Sequence, residues 1–470
     1  MIREKEIIEP KIPLIEYREP TGSVIDSYQV DLYEVTITDA DEYIVKDVQI
    51  SEGDFRSIRE LLNEYLYTGT PLPVLLKKYR VSEVAKRIVD RELNGYSILD
   101  PALKDKFILD IHAVHDKPVK VLHQRWGILK SNIVFDPYHL NNLLSKLATR
   151  AGKSISAKKP YVSMIDPYTE HRVSGIMMSD VSMGKVTVSI RKKPENPWTV
   201  VREIKVNTLT PLEAAFLWQM IVAKMAIMVI GPMLSGKTSM INALLGMVPP
   251  EASVMTVEDT PELLVPSPYW TRTISREAPE EGESVSFFEL VKLSLRLSED
   301  YVIVGEVRGE EGRDWAQAIM LGHGGLTSFH AGGPKEALNR LVQPPINISP
   351  QALNELKVLM VMHPLRSRRG LIRRSSVHLH HSGNLLELFK FNPAERVTQD
   401  PGEDELREYY KKHPALTLAG IRMGMSPEEM LEDLRLRERI IREALEREFE
   451  DYKALNSWLY ARYRELSGHA

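Results

Sequence analysis

One segment constrains the fold of this chain more than any other. Gly231–Thr238 reads Gly-Pro-Met-Leu-Ser-Gly-Lys-Thr and fits the phosphate-binding pattern G-x-x-x-x-G-K-[ST]. The apolar run at 225–230 before it predicts a buried strand, and 239–245 after it predicts a helix. A loop in this context aims backbone N–H groups at phosphate oxygens. The alternative, a Gly-Lys-Thr turn that binds nothing, fits the two flanks poorly, so we expect an α/β domain that binds a nucleoside triphosphate.

The residue types in this loop match the chemistry of a phosphate chain. Lys237 supplies a positive charge for the β- and γ-phosphates, and the Thr238 hydroxyl can be a ligand of Mg²⁺. Met233 and Leu234 stand where tight backbone geometry favours small residues. The residues expected to contact the nucleotide are Gly231, Ser235, Gly236, Lys237, Thr238 and Ser239.

Two further apolar runs end in carboxylates. The run at 254–257 leads into Glu258, and the run at 301–304 leads through Gly305 into Glu306. A carboxylate at the carboxyl end of a strand beside a phosphate loop can hold the metal or orient the attacking water. Each glutamate alone could equally be a solvated loop residue. Because both follow a phosphate loop and both end an apolar strand, we expect them to be catalytic.

Histidines raise the question of a metal site. His323 and His330 are seven residues apart, but glycines between them break any helix and no clear third ligand accompanies them. We therefore expect His330 to be a neutral group that senses the γ-phosphate. The cluster of His378, His380 and His381 follows a basic stretch and is interpreted as ordinary strand and loop residues.

Composition limits the remaining classes of protein. The 470 residues include no cysteine, which excludes disulfides and thiolate metal sites, and the formal net charge of -4 gives no bulk attraction to nucleic acid. No signal peptide or membrane span is expected. The pattern of residue types divides the chain into five segments. They are an N-terminal extension (1–95, short strands then helices), a second module (96–191), a linker (192–204), the nucleotide-binding domain (205–395) and a charged helical region (396–470).

Taken in order, four segments resemble the motifs of one superfamily. They are similar to the Walker A, Asp box, Walker B and His box of the type II/type IV secretion ATPases, which include pilus assembly and archaellum motors. Segments in the second module and the helical tail resemble the archaeal branch. The four motif segments are 231–238, 256–262, 304–309 and 322–331, and the segments similar to the archaeal branch are 152–160, 171–173, 189–192 and 416–464.

This resemblance implies a fold, a reaction and partners. It implies an α/β chain with a PAS-like N-terminal domain, a RecA-like P-loop ATPase domain and an α-helical C-terminal extension, which hydrolyses ATP with Mg²⁺. Arg172 and Arg191 match positions that reach the triphosphate from the N-terminal domain, Glu306 orients water, and Glu258 supports the metal or the water. It also implies a cytoplasmic homohexamer, peripheral to the cell membrane, that acts through a polytopic membrane platform protein on pilin-like subunits.

Two alternatives remain open from the sequence. A DNA-transfer or DNA-translocating ring ATPase would have a similar core, but no long basic, aromatic-interleaved stretch is present and nucleic acid is not expected as a partner. A nucleotide-binding regulatory homologue that does not hydrolyse ATP is also compatible with the unusual Met233 and Leu234. The presence of Lys237, Glu258 and Glu306 favours the active motor.

Overall fold

The computed structural model describes residues 12–193, 197–276, 284–367, 370–449 and 451–466. The chain divides into two compact units, 1–193 and 194–470. The predicted segment boundaries at 95/96 and 395/396 do not coincide with this division, since each lies inside one compact unit. The predicted linker contains the division, and part of it (194–196) lies outside the described residues.

The N-terminal unit is built on one nine-stranded sheet with the order β1-β2-β3-β6-β5-β4-β9-β8-β7. Every neighbouring pair is antiparallel except β3 and β6, which run parallel. The strands are β1 Val24–Val30, β2 Tyr33–Thr38, β3 Glu42–Lys46, β4 Ile108–Val114, β5 Pro118–His123, β6 Gly127–Val134, β7 Tyr161–Ile165, β8 Arg172–Ile176 and β9 Thr187–Arg191.

The pairing of β3 with β6 joins the predicted N-terminal extension to the second module. Tyr43 is the Cα partner of Ser131 in this ladder. Val35 and Ile37 of β2 belong to the same hydrophobic cluster as Ile111 of β4, and all three are fully buried. Burial of apolar surface across the shared sheet stabilises both segments together. Strands β1–β3 therefore share one core with the second module, a relation that local sequence patterns do not reveal.

Side-chain hydrogen bonds cap the N-termini of α1, α3 and α5 in this unit. Ser51 accepts a hydrogen bond from the Asp54 N–H at the start of α1, and Gly69 ends that helix with φ 65°. The helix predicted over 137–150 is present, with Asp136 as its N-cap. The helices are α1 Glu52–Thr68, α2 Leu72–Tyr79, α3 Glu83–Leu93, α4 Asp100–Lys104 and α5 Pro137–Arg150.

The C-terminal unit contains a second nine-stranded sheet with the order β12-β11-β13-β14-β10-β15-β16-β17-β18. The first six strands in this order are parallel, and the last three pairings are antiparallel. The strands are β10 Ala226–Ile230, β11 Val254–Glu258, β12 Trp270–Ile274, β13 Tyr301–Val304, β14 Gly324–Phe329, β15 Leu356–Ser367, β16 Gly370–His381, β17 Asn384–Asn392 and β18 Val397–Gln399.

The order of the parallel strands confirms the predicted fold class. One strand, β14, separates the strand before the phosphate loop (β10) from the strand that leads to Glu306 (β13). This is the arrangement of a RecA-like P-loop domain, and it follows the PAS-like α/β domain of the N-terminal unit. Since parallel strands end at the same sheet edge, the residues after β10, β11, β13 and β14 meet there.

Helices cover the second sheet, and those of the C-terminal tail pack on its core. Leu434, Ile441 and Leu459 belong to the same hydrophobic cluster as Ile227 of β10. Within the described residues, no helix has the length and apolar character needed to span a membrane. The helices are α6 Val200–Lys205, α7 Pro211–Val222, α8 Lys237–Leu245, α9 Phe287–Ser294, α10 Glu311–Met320, α11 Pro334–Leu341, α12 Pro350–Leu353, α13 Glu403–Lys412, α14 Pro414–Met423, α15 Pro427–Glu446 and α16 Tyr452–Leu466.

Candidate nucleotide site

The phosphate loop connects β10 to α8, as the sequence predicts. Gly236 is the N-cap of α8 and has φ 91°, a backbone conformation that favours glycine. A Cβ atom built on Gly231 would lie 2.5 Å from the Ser235 hydroxyl, so this position also requires glycine. Leu234 has φ 61° and is half exposed. A non-glycine residue in this region costs about 1–2 kcal/mol, so the loop holds a strained leucine.

Lys237 is buried and folds back over its own loop. Its Nζ donates to the carbonyl oxygens of Gly231 (3.1 Å) and Pro232 (3.0 Å) and lies 3.2 Å from Nδ1 of His330. Burial lowers the pKa of Lys237 to about 8, although the nearby Glu306 charge opposes this shift. A buried ammonium held by neutral acceptors is well placed to exchange them for phosphate oxygens.

His330 connects the lysine to the predicted catalytic glutamate. It follows β14, and its Nε2 lies 2.7 Å from Oε1 of Glu306. Burial, together with the charge of Lys237, lowers the pKa of His330, so the ring is neutral near pH 7. On its other side, Nδ1 of the same ring faces the Lys237 ammonium at 3.2 Å. The side chains from three separate segments form one chain of contacts.

Glu306 is also held from its other side. Arg308 Nε donates to Oε2 of Glu306 over 2.6 Å, and Arg308 Nη1 donates to Asp259 over 2.8 Å. A second guanidinium nitrogen of Arg308 contacts Glu306. Arg308 therefore links the ends of β11 and β13, a bridging position that the sequence analysis did not predict.

Glu258 lies at the carboxyl end of β11, where it is almost fully buried. Its Oε2 accepts hydrogen bonds from the backbone N–H groups of Glu262 and Leu263, each over 2.7 Å, and Arg272 donates to Oε1 over 3.2 Å. Burial raises the pKa of Glu258, while these donors oppose the shift. Both oxygens are thus engaged by the loop that follows the strand, which fixes the orientation of the carboxylate.

The loop fits a phosphate group. The Ser235 hydroxyl is buried and, among the residues that the structure describes, has no hydrogen-bond partner. Thr238 and Ser239 are half-buried in the first turn of α8. No cluster of three or more His, Cys, Asp or Glu side chains suited to a metal ion occurs in the described ranges. Nucleotide sites hold Mg²⁺ through few protein ligands plus the phosphates, so the Thr238 hydroxyl is the donor that fits this ion.

The other predicted histidines lie away from this site. His323 precedes β14, at the opposite end of the strand from His330, roughly 20 Å away at about 3.3 Å per residue. Its Nδ1 contacts the carbonyl oxygen of Glu299 over 2.5 Å. His380 and His378 lie within β16, where they contact the Leu356 carbonyl and the Ser376 hydroxyl respectively.

The two predicted arginines of the N-terminal unit are neighbours. Arg172 of β8 and Arg191 of β9 are Cα partners in an antiparallel ladder, so their side chains project from the same face of the sheet. Arg191 Nε donates to Asp110 over 3.1 Å. A signal that could have predicted this pairing is the alternation of polar and apolar residues in both strands.

A phosphate-loop motif between β10 and α8, a RecA-like strand order and a strand-end glutamate together define a P-loop ATPase. The family described as "Type II/IV secretion system protein" matches residues 138–365. The uncharacterized protein MJ0900 of Methanocaldococcus jannaschii is 30% identical over 387 residues, which cover 80% of this chain and 69% of that protein. The chain belongs to the type II/IV secretion ATPase family and is of the archaeal type, which confirms the resemblance seen in its motifs.

Solved structures of lower identity also match. The VirB11 ATPase from the Brucella suis type IV secretion system is 23% identical, with a TM-score of 0.31, over 62% of this chain and 92% of that one. The Legionella pneumophila ATPase DotB is 16% identical, with a TM-score of 0.42, over 73% of this chain and 87% of that one.

Proposed function

We propose that this ATPase is the motor of a filament-assembly or secretion machine and that it hydrolyses ATP at the loop Gly231–Thr238. The observation that carries the proposal is the chain of contacts from Lys237 through His330 to Glu306. It joins a cation for the phosphates to a carboxylate for the water, through a neutral imidazole that is sensitive to both charges. A loop that only bound nucleotide would not require this connection.

Each residue has a distinct part in the proposed reaction. The backbone of the loop, with Gly231, Ser235 and Gly236, cradles the phosphates, and Lys237 neutralises their charge. Glu306 orients water for in-line attack on the γ-phosphate, and His330 keeps Glu306 in place until the phosphate arrives.

Metal and arginines complete the proposed site. Mg²⁺, when bound through the Thr238 hydroxyl, would supply charge neutralisation at the β- and γ-phosphates, with Glu258 supporting it through water. From the family resemblance we also propose Arg172 and Arg191 as ligands of the triphosphate, since a planar guanidinium suits the phosphate oxygens. Arginine contacts of this kind are worth roughly 10³–10⁵ in rate, so hydrolysis depends on them.

The larger machine is proposed on the basis of family membership. The motor is a cytoplasmic homohexamer at the inner face of the membrane, and it drives pilin-like subunits through a polytopic platform protein. The formal net charge of -4 argues against DNA as the substrate of the ring. Lys237 and Glu306 are both present and both contact His330, which argues against a regulatory homologue that has lost catalysis.

The test is Mg²⁺-ATP hydrolysis measured as a function of protein concentration. We expect specific activity to rise with concentration, and Glu306→Gln to lose at least about 100-fold in turnover while ATP binding is kept. Lys237→Ala serves as the blank. Glu310→Gln is the matched control, because Glu310 is exposed on the segment that follows Glu306 and its carboxylate pairs with Arg313 at 3.6 Å.

Two outcomes would contradict the proposal. A wild-type chain that binds ATP but never hydrolyses it, at any concentration, would indicate a regulatory homologue. Activity that requires single- or double-stranded DNA would indicate the DNA-transfer alternative. Activity that does not change with concentration would remove the shared-site hexamer from the proposal.

A further inference from the structure

Arg373 of β16 lies across the phosphate loop. A Cβ atom built on Gly236 would come within 2.8 Å of Arg373 Cδ and 3.0 Å of its Nε. Arg373 Nη2 donates to the carbonyl oxygen of Leu234 over 3.4 Å, a long and weak contact. The guanidinium therefore rests on the backbone of the loop at the N-terminus of α8. The family resemblance assigns no role to this position.

The N–H donors of the Arg373 guanidinium are only partly satisfied by hydrogen bonds. Its Nε is buried and has no hydrogen-bond partner among the residues that the structure describes. An arginine presents five N–H donors, and leaving one of them buried and unpaired is energetically unfavourable. Arg373 thus keeps at least one donor unsatisfied beside a loop whose purpose is to bind an anion.

A buried carboxyl group faces the same arginine. Glu203 of α6 is almost fully buried, and it is the nearby charge that favours the cationic form of Arg373. Burial lowers the pKa of Arg373 and raises the pKa of Glu203 to about 7. Glu203 also forms a side-chain hydrogen bond with Thr208. The hydrogen bond with Thr208 orients this carboxyl group, whose charge acts on the guanidinium.

We propose that Arg373 is a second cationic ligand of the phosphate chain, which exchanges the Leu234 carbonyl for a phosphate oxygen when nucleotide binds. The inference rests on the proposed function and names a further residue of that same site. Its basis is geometric: the side chain already crosses Gly236, in the loop that we propose holds the phosphates. The planar fork of arginine matches phosphate oxygens, which a lysine ammonium does not.

The neighbouring Arg374 provides a matched control. It has the same charge on the same strand, but its guanidinium donates to the carbonyl oxygens of Arg396 (2.7 Å) and Val206 (3.1 Å). Successive side chains of a strand project from opposite faces, so Arg374 faces away from the phosphate loop. If Arg373→Gln and Arg374→Gln both weakened nucleotide binding, the cause would be a general effect of charge or folding. If only Arg373→Gln did so, the cause would be the contact of Arg373 with the phosphate loop.

The experiment is calorimetric titration of the full chain with ADP, at low and at high salt, after thermal melting has shown each variant to be folded. We expect Arg373→Gln to weaken ADP binding about 10- to 100-fold and to reduce its salt dependence, as loss of one charged hydrogen bond to phosphate predicts. Arg373→Lys should recover only part of the affinity, and Arg374→Gln should bind within about twofold of the wild type.

Either of two results would overturn the inference. ADP affinity within twofold of wild type in Arg373→Gln, with binding still abolished in Lys237→Ala, would make Arg373 a packing residue only. Equal losses in Arg373→Gln and Arg374→Gln would do the same. Failure of the wild-type chain to bind ADP is a different result, since it would overturn the proposed function itself.

Discussion

Substitution of Gly236 by alanine tests the packing of the phosphate loop directly. The position has φ 91°, where an L-residue costs about 1–2 kcal/mol, and the smaller entropy of unfolded alanine returns about 0.4–1 kcal/mol. The new Cβ would also lie 2.8 Å from Arg373 Cδ. Overpacking of this kind costs about 1–3 kcal/mol. Gly236→Ala should therefore lower the free energy of unfolding by about 2–4 kcal/mol.

Gly322 separates the two contributions. It has φ 97°, but a Cβ atom there would meet no heavy atom within 4 Å. Gly322→Ala should then cost only the backbone contribution, about 1 kcal/mol. In a chain that already carries Arg373→Ala, the clash at Gly236 is absent. There Gly236→Ala should cost no more than Gly322→Ala.

The assay is urea unfolding followed by tryptophan fluorescence. All six tryptophans except Trp126 lie in the C-terminal unit, so the signal reports mainly on the unit that contains the loop. Equal costs for Gly236→Ala and Gly322→Ala would refute the reasoning, because the contact with Arg373 would then contribute nothing. An unchanged cost of Gly236→Ala in the Arg373→Ala background would refute it as well.

Three further predictions concern the same unit. Leu234→Gly should be more stable than Leu234→Ala by about 0.5–1 kcal/mol in urea unfolding, the reverse of the usual order, because Leu234 has φ 61°; the usual order would disprove backbone strain. ADP affinity should fall about fivefold between pH 8 and pH 9, because Lys237, whose pKa is about 8, loses its charge; Lys237→Arg should abolish this fall, and an equal fall in that variant would assign it to another group. Burial raises the pKa of Glu213 to about 8, so the wild type should lose about 3–5 kcal/mol of unfolding free energy between pH 4.5 and pH 8. Glu213→Gln should flatten this pH dependence. Parallel plots of unfolding free energy against pH for the two proteins would contradict the prediction.

The direction of the Glu213 effect follows from proton binding. An acid whose pKa is raised by folding binds more protons in the folded than in the unfolded state between the two pKa values. Stability is therefore fully present below the ordinary glutamate pKa and falls as the pH rises through the folded pKa. Ser375 and the backbone N–H of Thr210 donate to this carboxyl group, and the amide oxygen of glutamine can still accept from both.

The local parts of the site could be predicted from the sequence. The phosphate loop has a strand before it and a helix after it, and Glu258 and Glu306 follow their own buried strands, because such features depend on short patterns of residue type. Proximity in the sheet follows from strand order, which these patterns do not encode. The contact of His330 with both Lys237 and Glu306 therefore became visible only with the structure.

The residues that sequence reasoning missed are arginines that act across segments. Arg308 connects the ends of β11 and β13. Arg373 contacts the phosphate loop at Leu234, from which it is separated by 139 residues in the sequence. In the sequence, Arg373 belongs to a basic stretch that is indistinguishable from a solvated surface. The register of β16 against β15 decides that Arg373 lies beside the phosphate loop, and this register cannot be seen in the local sequence.

The parallel pairing of β3 with β6 has a consequence for the order in which the chain is made. Residues 42–46 leave the ribosome well before residues 127–134. The edge of β3 that pairs with β6 is therefore unpaired while α1, α2 and α3 form locally. An exposed strand edge is a site for pairing with other chains, and contacts of long sequence separation form slowly. Nascent chains that stop short of Gly127 therefore leave this edge of β3 unpaired, and β6 covers it once it has been made.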